Sequence, residues 1–136
     1  MAALIAVWTM PLMAGDRFYV GEYQFTPTAV YDGDTVKGRA EIWPGLSTLV
    51  SVRLAGIDTP ELRGKCAREK AAAKRAKVAL QLALSLGMVT LRNVRLGKYA
   101  GRVVATVLVD GVNVAPEMIR QGYGRVYNGG RRQGWC

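Results

Sequence analysis

Apolar and polar positions change period several times along this 136-residue chain, and each change marks an element. Phe18 to Tyr31 is dense in aromatic and β-branched residues and predicts one or two strands, closed by a turn at Asp32-Gly33. Val36 to Ile42 predicts the next strand, ended by Trp43-Pro44-Gly45. From Leu49 to Leu54 the chain alternates. Leu49, Ser51 and Arg53 share one face and Val50, Val52 and Leu54 the other, the pattern of a half-buried strand. Arg63 to Leu86 is the long helical stretch. Ala72, Ala76, Ala79, Leu80, Ala83 and Leu86 recur at helical spacing, Lys70, Lys74 and Lys77 line another face, and Gly87 supplies the stop. Met88 to Val94 and Val103 to Val109 predict two more strands around a basic, glycine-broken loop from Arg95 to Arg102. Asp110-Gly111 is a hairpin turn, and Val114 to Gln121 a short helix ended by Gly122. About five strands, one long helix and one short helix predict an α+β fold, in which a small twisted sheet closes on itself as a barrel and the helices cap it.

Composition narrows the chemistry. Half of the residues are hydrophobic, which separates the chain from disordered sequences, and its length predicts a single core. Nineteen Lys and Arg against ten Asp and Glu give a formal charge of +9, which favours a polyanionic partner, nucleic acid first and an anionic membrane second. There is no histidine, so imidazole acid–base chemistry and His-ligated zinc are excluded. Two cysteines are too few for an all-thiolate zinc site. A catalytic metal would have to be held by oxygen, as calcium and magnesium are.

Residues 1–17 form an apolar N-terminal segment ahead of a domain spanning 18–136. Residues 1–14 carry no charged side chain but are too short to span a bilayer, which takes about 20 apolar residues. They read as a signal or anchor remnant, or as an arm that docks on a membrane or a protein.

Two short stretches gather the acids. Arg53-Leu-Ala-Gly-Ile-Asp-Thr-Pro-Glu61 opens with a cation on a strand and ends in two carboxylates on a turn that Gly56 and Pro60 enforce. Asp32-Gly33-Asp34-Thr35 places two further carboxylates around a glycine. Four of the ten acidic residues of a basic chain therefore fall in two segments, a concentration that calls for a cation. Taken singly, Asp32 and Asp34 serve equally well as hairpin caps, and Arg53 as a structural ion-pair partner of Glu61.

These motifs, with Lys98-Tyr-Ala-Gly-Arg102 and Ile119-Arg-Gln-Gly122 following in order, resemble the staphylococcal nuclease (thermonuclease) family over about residues 25–128. The resemblance implies an OB-fold barrel with a calcium-dependent phosphodiesterase site acting on DNA, RNA or both. Asp34 and Asp58 would ligate calcium through carboxylates and Thr59 through its main-chain carbonyl. Glu61 would activate the attacking water, and Arg53 and Arg102 would hold the phosphate. Asp32 matches a position near the metal. Lys98, Tyr99 and Tyr127 are the matching substrate-binding positions. The alternative from another class is a catalytically silent OB-fold module that binds nucleic acid, or a subunit of a larger assembly. The retention of Arg53, Glu61 and Arg102 together favours the enzyme.

Cys66 and Cys136 are expected to form a disulfide, because the family's further C-terminal helix has no counterpart here and the tail needs another fastening. Closing a loop of that length contributes about 4 kcal/mol in the chain-entropy model. It would also imply an oxidising compartment, secreted or periplasmic, with anchoring to a membrane as a variant. A pair of free thiols is the alternative. A monomer is expected. Because residues 1–14 precede every motif and show no barrel period, their deletion is expected to leave thermal stability and specific activity nearly unchanged. A large loss of either in the truncated protein would make them part of the core.

Overall fold

The computed structural model describes residues 18–136; the apolar segment 1–17, with its expected docking arm, lies outside the described residues. The described chain runs β1 (Tyr19–Asp32), β2 (Thr35–Trp43), β3 (Leu46–Leu54), β4 (Gly56–Asp58), α1 (Ala67–Leu84), β5 (Val89–Leu96), β6 (Arg102–Val109), β7 (Val112–Asn113), α2 (Val114–Arg120) and β8 (Arg125–Tyr127). Strands β1, β2, β3, β5 and β6 form one sheet, and a parallel β3–β6 pairing closes it into a five-stranded barrel. The other barrel pairings are antiparallel. This is the OB-type α+β architecture expected from the chain.

The strand alternation sets the inside of the barrel. Val36 and Ala40 of β2, Val52 and Leu54 of β3, Leu91 of β5, and Ala105 and Val107 of β6 are all buried. Their neighbours Lys37, Arg39, Ser51 and Arg53 stay at least partly accessible. The hairpin turns behave as their residues require. Gly45 carries φ +80°, and Asp110-Gly111 both take positive φ (48° and 80°), the backbone of a two-residue hairpin turn.

Helix α1 starts at Ala67, four residues later than the periodicity places it, and Cys66 caps it by accepting from the Glu69 N–H. Residues 61–65 form a loop instead, because the buried Glu69 carboxylate accepts the backbone N–H groups of Glu61 (3.3 Å) and Lys65 (2.9 Å). The face that α1 presents to the barrel is Ala73, Ala76, Leu80 and Leu84. Ala76 and Leu80 are read correctly from spacing. Leu86 is not part of this face: the helix ends at Leu84, and Leu86 is exposed.

Disulfide Cys66–Cys136 joins the cap of α1 to the end of the chain. Together with antiparallel β4–β8, it fastens a C-terminal tail that has no helix of its own.

Gly33 lies at a close approach of α1 to the barrel. A Cβ there would lie 2.6 Å from Ala76 Cβ and 2.9 Å from Thr59 Cγ2. Gly33→Ala is therefore expected to lower unfolding free energy by about 1–3 kcal/mol. Gly134→Ala, where the added Cβ meets open space, should stay within about 0.5 kcal/mol. Urea unfolding of both variants tests the contrast; equal effects would contradict it.

Candidate active site

The barrel's closing seam brings together residues that are distant in sequence. In the parallel register Ser51 lies opposite Arg102, and Thr35 of β2 lies opposite Arg53. Alternation then puts Thr35, Ser51, Arg53 and Arg102 on one outward face. Arg102 donates through NH2 to Thr35 Oγ1 at 3.3 Å, and its buried Nε has no partner among protein atoms. The guanidinium is thus aimed with one donor unused.

The acids converge beside it. Asp34 and Asp58 are buried at 4 % and 1 % exposure. One nitrogen of Arg53 lies 3.5 Å from Asp34 Oδ2 and 3.7 Å from Asp58 Oδ1, so the two carboxylates face the same point. Thr59 donates its backbone N–H to Asp34 Oδ2 at 3.1 Å, and its own buried hydroxyl is unpartnered. Arg53 is itself held in place: NH1 donates to the Leu54 carbonyl at 3.3 Å, and the Tyr127 ring lies beneath the guanidinium at 5.2 Å. Glu61 stands at the rim with its side chain half exposed.

Asp32 is the odd member of the acidic group. Burial, and after it the negative charge of Asp34, push its carboxyl up to about 6, against the lowering effect of the Asp34 N–H that donates to it at 3.1 Å.

Two clefts meet at this seam. One, of about 440 Å³, is lined by Asp32, Asp34, Thr35, Lys37, Arg53, Glu61 and others, with Arg102 and Arg132 among them. The second, of about 580 Å³, shares Arg53, Arg102 and Arg132 and adds Lys98, Tyr99, Tyr127, Gly129 and Gly130. The sequence-selected residues Arg53, Glu61, Arg102, Asp34 and Asp58 therefore share one locus, with Thr59 bonded into it. Lys98, Tyr99 and Tyr127 flank the adjoining cleft. Tyr99 is exposed, and the Tyr127 hydroxyl donates to the Gly130 carbonyl at 2.7 Å.

The tail supplies residues that the motif reading passed over. Arg132 donates through Nε to Asp58 Oδ1 and through NH1 to Glu61 Oε1, each at 2.6 Å. Trp135 Nε1 donates to Asp58 Oδ2 at 3.2 Å, and Arg125 approaches the same oxygen at 3.5 Å. Partial burial works against the charge on Arg132, but Asp58 and then Glu61 outweigh it and hold its pKa above the ordinary arginine value. The available signal was indirect. A bridge from Cys136 to Cys66, just beyond Glu61, obliges an arginine-rich tail to lie against the site.

An outward basic-and-acidic cleft on the closing seam of an OB-type barrel is the candidate site of this fold. The family model described as staphylococcal nuclease homologue matches residues 51–134, more than half of the chain, and the protein belongs to that family. Membership puts it among nuclease and nucleic-acid-binding domains. No curated protein matches it. Asp34 lies before the matched stretch and reaches the site through the β2–β3 pairing.

The raised carboxyl of Asp32 has a consequence for stability. A folded pKa of about 6 against an ordinary 3.8 means the native state binds this proton more tightly than the unfolded chain. That contribution is fully present below the unfolded value and is lost as pH rises through about 6. In chelator-treated protein, the stability of wild type minus that of Asp32→Asn should therefore fall by on the order of 2 kcal/mol between pH 4 and pH 7 and then level off. A pH-independent difference in paired thermal melts would contradict this.

Proposed function

We propose that the protein is a calcium-dependent nuclease that hydrolyses phosphodiester bonds of DNA, RNA or both. The observation that carries this reading is the meeting of Arg53 and Arg102 with Glu61 and the buried Asp34 and Asp58 at one cleft. A surface that only binds phosphate needs the arginines alone; two buried carboxylates beside them are a costly addition, and one that a divalent cation would use.

The roles follow from chemistry. Arg102, with its unused Nε, and Arg53, fixed by Leu54 and Tyr127, offer planar guanidiniums to phosphate oxygens, which suits two-point binding better than an ammonium does. Charge that builds on those oxygens during attack is stabilised by groups already in place. Glu61 is the most exposed carboxylate of the cluster and takes the proton from the attacking water at its carboxylate oxygen. Asp34 and Asp58, with the Thr59 carbonyl, would hold the divalent ion. The donors are all oxygen and the carboxylates converge, which fits calcium, the family's usual ion. Bound there, calcium would add positive charge against the phosphate in the transition state. Lys98, Tyr99 and Tyr127 line the path of the strand. The disulfide supports a secreted or periplasmic setting.

One observation favours the second reading, a binding module without turnover: Arg132 pairs directly with Glu61 and Asp58. Turnover on single-stranded DNA, measured against calcium concentration with chelator as blank, separates the two. Arg102→Ala and Glu61→Gln are each expected to lose on the order of 10²-fold or more in turnover while remaining folded. Asp34→Ala is expected to weaken calcium binding directly. Wild-type cleavage that persists in chelator, or a fully active Arg102→Ala, would leave the binding module as the better account.

A further inference from the structure

The last five residues are held at four points. Arg132 bridges Asp58 and Glu61. The carbonyls of Gln133 and Gly134 accept from Arg125. Trp135 donates to Asp58 and carries the Arg125 guanidinium over its ring at 3.8 Å. Cys136 is bonded to Cys66. The result is a strap drawn across the acidic end of the cleft.

The strap engages both oxygens of Asp58. Oδ1 accepts from Arg132 and Oδ2 from Trp135. Two of the three acids that make the site attractive to a divalent cation, Asp58 and Glu61, are thus bridged by one guanidinium, which offsets one of their two negative charges. Arg53 and Arg125, the other cations at this point, make only longer approaches of 3.5 to 3.7 Å; Arg53 is tied to the Leu54 carbonyl and Tyr127, and Arg125 to the Gly134 carbonyl and the Trp135 ring. Arg132 is the most exposed of the three, at 38 % for its side chain against 32 % for Arg125 and 16 % for Arg53. It sits on a terminal segment and, alone among the described residues, spans both Asp58 and Glu61.

We propose that Arg132 is a built-in counter-ion that competes with the divalent cation for Asp58 and Glu61 and so sets the cation affinity of the site, with the Cys66–Cys136 bridge holding it there. The inference rests on the reading of Asp34, Asp58 and Glu61 as the cation-binding and water-activating group. The physical basis is mutual exclusion. A calcium ion and a guanidinium both need the Asp58 oxygens, and like charges at such separation repel. Tethering four residues from a covalent bridge keeps the guanidinium at high effective concentration, so the cation must reach a threshold before it replaces Arg132. Breaking the bridge dilutes Arg132 and lowers that threshold, which makes the site's cation affinity dependent on the thiol–disulfide state.

The test is calorimetric titration of calcium chloride into the full-length oxidised protein, without substrate. Arg132→Ala is expected to bind calcium on the order of ten-fold more tightly than wild type, a step of about 1.4 kcal/mol. Arg132→Lys should fall between them, because an ammonium lacks the fork that spans both acids. The Cys66→Ser/Cys136→Ser protein, or wild type held in dithiothreitol, should shift in the same direction. A residue with a merely structural role would leave affinity unchanged or weaken it on removal, and either result for Arg132→Ala overturns the proposal, as does absence of calcium binding from every form. Without Arg132 the buried Asp58 keeps Trp135, Arg125 and Arg53 as partners, so Arg132→Ala and Arg132→Lys should fold even where the double serine protein does not. Tighter calcium binding in a protein that cleaves no DNA would uphold the counter-ion and remove the nuclease reading. Calcium-dependent cleavage with unchanged affinity in Arg132→Ala would do the reverse.

Discussion

Everything at the cleft depends on the parallel pairing of β3 with β6. Without it the strands form an open antiparallel sheet, and Arg53 and Arg102 lie on opposite edges. With it, Ser51 sits against Arg102 and Arg53 against Val104, and the two guanidiniums share a face. The same pairing buries Val52, Leu54 and Ala105 inside the barrel. Core formation and site assembly are therefore one event: apolar burial supplies the driving force, and the period-two alternation carries the charged neighbours outward.

The second constraint is the charge of Asp58. A carboxylate at 1 % exposure is stable only with compensating donors, and this one receives Arg132, Trp135 and the more distant Arg53 and Arg125. Those donors come from a strand, a short paired segment and the tail. Their convergence explains why the tail lies where it does. The β4–β8 pairing delivers Arg125 opposite Asp58, and the bridge to Cys66 delivers the remaining residues. Gly124 allows this approach, since a Cβ there would stand 2.7 Å from the Ile57 side chain.

Helix α1 has a double task. Ala73, Ala76, Leu80 and Leu84 close one end of the core, and Glu69 in its first turn holds the loop that carries Glu61. Gly64 fits because a side chain there would collide with the Glu69 carboxylate at 2.4 Å. An acid with an evident local job is thus separated from the acids of the cleft, although Asp58 and Glu61 lie just ahead of it in the chain.

The sequence by itself determined the order of the barrel strands and the two helices, the barrel class and the family, but not the short strands β4, β7 and β8. Period-two alternation, helical spacing and the Gly, Pro and Asp turn signals are local properties, and they are what strands, helices and turns respond to. Arg53, Asp58 and Glu61 were legible as a unit because they lie within one short turn, and Asp34 because it repeats the chemistry on the preceding hairpin. The start of α1 was not legible: helical residues between Arg63 and Cys66 give up their periodicity to the hydrogen bonds of Glu69, a partner named only by the fold. Leu86 was misread because spacing continues past the point where Ser85 ends the helix. The roles of Arg132, Trp135 and Arg125 were hidden for a deeper reason. Their sequence is a glycine-broken basic tail with no period, and their position is decided by a buried carboxylate more than 60 residues earlier in the chain. Electrostatic compensation acts through space, so only the tertiary structure could say which cations answer Asp58.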